Sequence, residues 1–263
     1  MSRITVRQMN FDFTEAIGRY WYGNSPFKTH FFNSITLLFP DGEQFMLRTV
    51  KRQLKEIDNP QLKQEASAFI GQEAQHAVQH EKFWNNLRQQ GYKFDTYLRF
   101  LRFILFNVCE NQLSIKFKLA MIAGVEHFTN AIADLVLREE LFAEAEPKMK
   151  ELFEWHSAEE IEHKTVAYDV FQNVTKNYII RLLGIFIAYT FVLGFVSLGL
   201  VMMLYQDKKL LNIKVWQEMI QFFFTKEKFV FKVFLHSLEY FRTNFHPSQK
   251  DNLFLVKKVM HFS

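Results

Sequence analysis

Cysteine is almost absent from this sequence, which contains only Cys109. A single cysteine excludes an internal disulfide and any cluster of thiolate metal ligands. Glycine and proline are also scarce, with 9 and 5 copies in 263 residues, while 49% of the residues are hydrophobic. A chain with few turn-forming residues and many apolar positions is typical of long helices. Because no stretch alternates polar and apolar residues between turn signals, we predict an all-α fold.

The sequence also has no concentration of charge of one sign. Its formal net charge is only +4, and the basic residues are spread through the predicted helices. We therefore expect no nucleic-acid partner, whereas a weak attraction to an anionic membrane surface agrees with this charge. Residues 1–18 lack the apolar core of a secretory signal peptide, so we expect none.

Against these absences, residues 72–80 combine one carboxylate and two imidazoles at helical spacing. On a helix, His76 lies about 60° and His80 about 20° from Glu73, so all three point from one face. Polar groups on a buried face need partners, and a metal ion can supply one. Glu-x-x-His, here Glu73 and His76, is the half-site of four-helix dimetal carboxylate proteins.

A second half-site follows later in the chain, at Glu160 and His163. The four-helix dimetal pattern also requires one lone glutamate from each of two other helices. Glu43 precedes Glu73, and Glu126 precedes Glu160, by nearly equal intervals. A solvated charged face is the alternative, but six positions in the required order favour a metal site. The predicted metal ligands are Glu43, Glu73, His76, Glu126, Glu160 and His163.

Two more histidines lie on the faces of these motifs. His80 follows the first motif, and His156 precedes Glu160 by about one helical turn. We predict that His80 and His156 are catalytic and move protons, while a seventh metal ligand or a partner that orients a ligand is the alternative. Glu159 and Glu162 point away from the direction of Glu160, so we interpret them as solvated charges or as partners of the ligands.

Turn signals divide residues 1–176 into a four-helix bundle that holds the dimetal site. Residues 1–40 are aromatic-rich and irregular, and we interpret them as a strap over the bundle. The turn at Pro40-Asp41-Gly42 then predicts that the first helix begins near residue 43. The predicted bundle helices are 43–57, 61–89, 114–140 and 147–176, with a shorter connecting helix within 95–113.

Residues 177–263 are predicted to form a hydrophobic helix followed by amphipathic helices. No charged residue occurs from 182 to 205, a length that can cross the hydrocarbon core of a membrane. We favour a membrane-inserted segment, and a helix buried in a bundle or in a homodimer is the alternative. Basic residues flank both ends, so the orientation does not follow. The single cysteine fits a reducing compartment, and we expect a membrane-associated protein with a cytoplasmic metal-binding part.

Several of these segments together resemble a known bacterial family. The runs FPDGEQFMLR, FIGQEAQHAVQHEKFWN and WHSAEEIEH, with Asp58-Asn59-Pro60 after the first and a late FHP at His246, are similar to the predicted metal-dependent hydrolases. The likeness covers most of residues 5–180 and the loop near His246. It implies a ferritin-like fold for the bundle, and the family's name implies hydrolysis.

Three functions agree with this site. The first is a di-iron enzyme that oxidises a hydrophobic small molecule or lipid with dioxygen, since carboxylate and imidazole ligands suit iron and the apolar residues provide a dry pocket. The second is a hydrolase with a metal-activated water, and the third is a non-catalytic iron-binding bundle. We favour the first, because matched Glu-x-x-His pairs are the di-iron and di-manganese carboxylate arrangement. The expected cofactor is two divalent metal ions, iron in preference to manganese or zinc.

Overall fold

Every regular element in residues 4–15 and 17–260, the part that this computed structural model describes, is helical. One isolated β-bridge, between Tyr22 and Ala145, is the only extended pairing within that part of the chain. The prediction of an all-α helical bundle is therefore confirmed. The ferritin-like topology that the resemblance implies stays a prediction.

The helices follow one another with short connections. In chain order they are α1 (Pro26–Gln53), α2 (Pro60–Gln89), α3 (Asp95–Arg102), α4 (Ile115–Arg138), α5 (Pro147–His163), α6 (Val166–Val174), α7 (Tyr178–Gln206), α8 (Ile213–Ile220), α9 (Phe229–Leu238) and α10 (Leu253–Val259). Between α3 and α4 the chain continues through a π-helical segment, Phe103–Cys109, and a last turn, Glu110–Gln112. A second π-helical turn, Gln221–Thr225, follows α8, and 3₁₀ turns occur at Glu239–Phe241 and Pro247–Gln249.

Helix α1 begins much earlier than the sequence predicts. Ser25 caps it by accepting a hydrogen bond from the backbone N–H of Lys28, and Pro26 occupies the first helical position. The helix then continues through Pro40, so the predicted start near residue 43 was wrong. The irregular strap consequently ends at Ser25.

Pro40 is tolerated inside α1 because another side chain replaces the hydrogen bond that it removes. A proline has no N–H to donate to the carbonyl of the residue four positions earlier, which here is Thr36. The buried indole Nε1 of Trp84, on α2, donates to that carbonyl at 3.1 Å. The proline therefore leaves no unpaired carbonyl at this point in the core.

Helix α7 packs along α1 and α4, and glycines allow a close approach at its crossing with α4. A Cβ at Gly184 would lie 2.5 Å from the Cβ of Ala120, and one at Gly124 would lie 2.7 Å from the Cα of Ile185. One face of α7 is thus held against the bundle. In the described chain, α4 and α7 are the helices long and apolar enough to cross a membrane, but α4 is mostly buried, so the finding is weak evidence.

The predicted helix 147–176 is divided in two. α5 ends at His163 and α6 begins at Val166, with a turn at Lys164 and Thr165. The Lys164 ammonium is buried and donates to the carbonyl of Lys250 at 2.6 Å. The break between α5 and α6 therefore directs Lys164 into the interior, near the start of α10. The helical periodicity of the sequence did not predict this buried lysine.

The role of Trp84 at the proline can be tested with a double-mutant cycle. We expect Trp84→Phe to lower the free energy of unfolding, because it leaves the Thr36 carbonyl unpaired at a cost of about 1–3 kcal/mol in addition to lost packing. In a Pro40→Ala background the new backbone N–H can pair with that carbonyl, so the cost should fall by about 1 kcal/mol or more. Urea denaturation of the four proteins measures this, and equal costs in both backgrounds would contradict it.

Candidate metal centre

Each of the four bundle helices α1, α2, α4 and α5 directs a glutamate into one buried cluster, and α2 and α5 each add a histidine. All six side chains are at most 4% exposed. They are Glu43 from α1, Glu73 and His76 from α2, Glu126 from α4, and Glu160 and His163 from α5. The structure therefore brings together all the residues predicted as metal ligands, although metal binding itself stays a prediction.

The donor atoms of this cluster form overlapping groups of three. In each group the atoms lie within 4.8 Å of one another, as potential ligands of one ion must. The groups are Glu43, His76 and His156; Glu73, Glu126 and His163; and Glu73, His76 and Glu160. The first two groups share no residue, whereas the third takes one residue from each of them, so the number of ions that the cluster holds stays a prediction.

Short distances connect these groups into one centre. The Nε2 atom of His163 lies 3.2 Å from both Glu73 Oε1 and Glu126 Oε2. The Nδ1 atom of His76 lies 3.8 Å from Oε1 of Glu73 and from Oε1 of Glu160. Glu160 contacts both histidine-containing sides of the cluster, since its Oε2 is also 3.6 Å from His163 Nε2.

Many polar atoms in the cluster lack a hydrogen-bond partner among the described residues. These are both carboxylate oxygens of Glu43, Glu73 and Glu126, together with His76 Nδ1 and His163 Nε2. Buried polar groups are almost always paired, so such a concentration requires an explanation. Divalent cations are partners that such atoms fit, and carboxylate and imidazole donors suit iron, manganese or zinc. The residues present therefore fit a metal centre.

The electrostatics of the cluster favour the same interpretation. Burial, and then repulsion from Glu160 and Glu126, raises the pKa of Glu43 well above its ordinary value, and burial raises the pKa of Glu126 to about 7. Burial also opposes ionisation of Glu160, but its contacts with His163 and His156 hold its pKa well below the ordinary value. Positive charge in the cluster stabilises the carboxylates, so metal binding should release protons.

The two motif histidines are each held by a polar side chain on the nitrogen that points away from the cluster. His76 Nε2 lies 3.2 Å from Glu159 Oε2, and His163 Nδ1 lies 2.9 Å from Gln72 Oε1. Such partners fix the orientation of a ligating imidazole and raise its basicity. Glu159 is fully buried, so the interpretation of this residue as a solvated charge was wrong. The other interpretation, a partner of a metal ligand, agrees with its contact to His76.

Arg7, from the N-terminal strap, connects the two orienting side chains. It donates to Glu159 at 3.0 Å and to both oxygens of Glu162 at 2.8 and 2.7 Å. Glu162 in turn accepts a hydrogen bond from the amide of Gln72 at 2.9 Å. One arginine therefore supports the imidazoles of both His76 and His163. The sequence did not single out Arg7 or Gln72, and the only local signal was that Gln72 directly precedes a ligand.

The two predicted catalytic histidines form a hydrogen-bonded series that leads away from Glu160. His156 Nε2 lies 3.1 Å from Glu160 Oε1, and His156 Nδ1 lies 2.9 Å from His80 Nε2. The imidazole of His156 also stacks on that of His76, with ring centroids 4.0 Å apart. His156 is thus placed to act as a ligand or as a proton carrier, whereas His80 is one step further out.

These contacts define an all-α protein with a buried carboxylate–histidine cluster that can hold metal. A family model described as "Predicted metal-dependent hydrolase" matches residues 5–251. The match covers most of the chain, so this protein belongs to that family and the resemblance of the sequence motifs is confirmed. No curated protein and no solved structure matches the chain. The family's description agrees with the hydrolase alternative better than with the di-iron oxidation that the sequence favours.

The metal centre can be tested by removing a ligand charge while keeping the side-chain shape. We expect Glu73→Gln and Glu160→Gln to lose most of the bound metal, because each of these carboxylates lies among the donor atoms of the cluster. Elemental analysis of the purified proteins measures the stoichiometry. Glu81→Gln, at an exposed position of α2, is the matched control. Full metal occupancy in both cluster variants would show that the dimetal interpretation is wrong.

A further prediction concerns Arg7. Replacing it with glutamine should lower metal affinity by about 10- to 100-fold, because both orienting contacts lose their common support. Arg88→Gln is the control, since the exposed Arg88 pairs with Asp95 at 3.4 Å and lies over the rings of Phe94 and Trp84 rather than against the orienting side chains. Metal affinity is measured by competition with a chelator. An Arg7→Gln protein that binds metal as tightly as the control would contradict a supporting role for this residue.

Proposed function

We propose that this protein is a hydrolase whose buried cluster holds two divalent metal ions. The observation that carries this proposal is the buried cluster of four glutamates and two histidines that could hold metal, next to the hydrogen-bonded pair of His156 and His80. The description of the family supports hydrolysis. When bound, such ions polarise the substrate's carbonyl or phosphoryl oxygen and acidify a water molecule.

The side chains divide this task among themselves. Glu43 and His76 would hold one ion, and Glu73, Glu126 and His163 the other, while His156 keeps both ring nitrogens free for proton transfer. Glu160 lies 3.8 Å from His76 and 3.6 Å from His163, so it would lie between the two ions.

His80 is the proposed proton acceptor. Its Nε2 atom is hydrogen-bonded to His156 Nδ1, and its Nδ1 atom has no partner among the described residues. A proton that leaves the reacting centre can therefore move through His156 to His80 and away from the cluster. We therefore expect His80 to contribute to catalysis and not to the binding of metal.

Hydrolysis can be tested in the absence of oxygen. We expect the protein loaded with zinc or manganese to cleave esters or amides of hydrophobic acids anaerobically. Activity should disappear in Glu73→Gln, whereas His80→Ala should keep its metal and lose about 10²- to 10⁴-fold in kcat, the usual contribution of a general base. Glu81→Gln should retain full activity.

Other results of the same experiment would identify one of the two other candidate functions, di-iron oxidation or non-catalytic iron binding. Four buried carboxylates beside an apolar cavity would also suit an oxidised di-iron centre. If the reduced iron protein consumes dioxygen, a hydrophobic compound accelerates this, and no anaerobic cleavage occurs, oxidation replaces hydrolysis. A protein that binds metal but has neither activity would instead be an iron-binding bundle.

We also propose that α7 attaches the protein to a membrane through its exposed face. Ile179, Leu183, Phe186, Leu193, Leu198 and Val201 all lie exposed on α7 at helical spacing. The opposite face packs on α1 and α4, so α7 contacts protein on one side and would contact lipid on the other. An exposed apolar surface of this kind marks an interaction site. The cytoplasmic location of the metal-binding part stays a prediction.

Membrane attachment predicts a defined fractionation behaviour. The protein should remain with membranes after a high-salt or carbonate wash, because the burial of apolar side chains does not depend on ionic strength. Phe186→Asp should release it, whereas Val78→Asp, at an exposed apolar position of α2, should not. A protein found in the supernatant as a homodimer would contradict membrane attachment and assign this face to a second copy of the chain.

A further inference from the structure

The exposed apolar face of α7 occupies one side of the helix along its whole length. On the other side, buried residues occur from Arg181 to Leu204, and this side packs on α1 and α4. α2 in turn packs along α1 and exposes charged side chains near both ends and in its second half, at Lys63, Glu81 and Arg88. If α7 crossed a bilayer, these helices would lie beside it and carry those charges into hydrocarbon, which is unfavourable. The packing therefore favours an α7 that lies along a membrane surface.

Neighbouring elements extend this apolar face beyond α7. The hydroxyl groups of Tyr189 and Ser237, 2.6 Å apart, connect α9 to α7, and the Phe100 ring of α3 lies 5.5 Å from that of Phe195 on α7. Both neighbours also expose large apolar side chains. These are Val230, Phe231, Phe234, Leu235 and Leu238 on α9, and Phe100 and Phe103 at α3 and the start of the π-helical segment. An apolar surface that extends over several helices is typical of a contact with a membrane interface.

The charged side chains around this surface are basic. The basic residues form no tract in the sequence, but nine of them and only four acidic residues lie between positions 176 and 242, a range that the structure describes completely. This range alone accounts for the positive net charge of the chain. Its exposed charged side chains are Lys176, Lys208, Lys214, Lys226, Lys228 and Arg242, whereas its four acidic residues are all partly buried. The exposed apolar helices are thus flanked by positive charge.

We infer that α7 and α9 lie in the plane of one leaflet of an anionic bilayer, with their apolar side chains in the hydrocarbon and the flanking basic side chains at the lipid phosphates. The inference rests on the proposed membrane attachment and names its lipid class and its geometry. Basic side chains are attracted to anionic lipid, and the buried apolar side chains hold the protein there. A second copy of the chain is a poorer occupant, because a symmetric contact would bring the same basic residues together.

The two ends of α7 distinguish a helix in one leaflet from a helix that crosses the membrane. Lys176→Cys and Lys208→Cys each place a cysteine at one end, in a Cys109→Ala background that removes the native thiol. Membranes from cells that produce these proteins are sealed right-side-out or inside-out and treated with a maleimide that cannot cross the bilayer. Both cysteines should react in the same one of the two preparations. Lys63→Cys, at an exposed position of α2, is the reference for the side of the bundle and should react with them.

The lipid class is tested with the purified full-length protein and vesicles. Sedimentation should show binding about tenfold or more tighter to mixed phosphatidylcholine and phosphatidylglycerol than to phosphatidylcholine alone. Lys214→Gln and Lys228→Gln should each weaken binding to the anionic vesicles by about fivefold, the contribution of one basic residue at such a surface. Lys63→Gln, on α2, is the matched control and should bind as the unaltered protein does. Thermal unfolding verifies that each variant is folded.

The outcomes separate this inference from membrane attachment itself. If the two ends of α7 react in different preparations, or if phosphatidylglycerol does not strengthen binding, the inference is overturned. Attachment through α7 still stands in both cases, provided that the protein sediments with vesicles and Phe186→Asp releases it. A protein that binds neither kind of vesicle contradicts the attachment as well as the inference.

Discussion

The whole bundle is built around the burial of four carboxylates at one point. Removing charged groups from water is so unfavourable that they persist in an interior only when opposite charge or hydrogen bonds compensate. Here Glu43, Glu73 and Glu126 have no hydrogen-bond partner on either oxygen among the described residues. A cation is the compensation that the donor set fits, so a bound metal would serve both the stability of the core and the chemistry of the site.

The surrounding side chains keep that centre rigid. Glu159 and Gln72 each hold one imidazole from behind, and Arg7 supports both of them from the N-terminal strap. The strap is thus part of the centre, although it contributes no ligand. Elsewhere in the bundle a side chain from another helix also pairs with a buried neutral group. The indole of Trp84 donates to the Thr36 carbonyl, which Pro40 leaves without a donor.

The arrangement of helices gives the centre two different sides. Toward the strap, the cluster meets charged and amide side chains that fix its geometry. Toward α7, it opens into an apolar cavity whose far wall is the helix with an exposed apolar face. The proposed site of hydrolysis and the proposed membrane contact therefore lie on opposite faces of the same helix, α7.

The sequence by itself determined which residues could ligate metal. Two Glu-x-x-His pairs and the two lone glutamates are local patterns on regular helices, and the helical period alone places each pair on one face. The tertiary structure decided what those helices meet. The continuity of α1 through Pro40 depends on a tryptophan from another helix, and the supporting role of Arg7 depends on residues more than 150 positions away. Which face of α7 is buried also depends on its contacts with α1 and α4. Such contacts join distant parts of the chain and have no period, so no local pattern could reveal them.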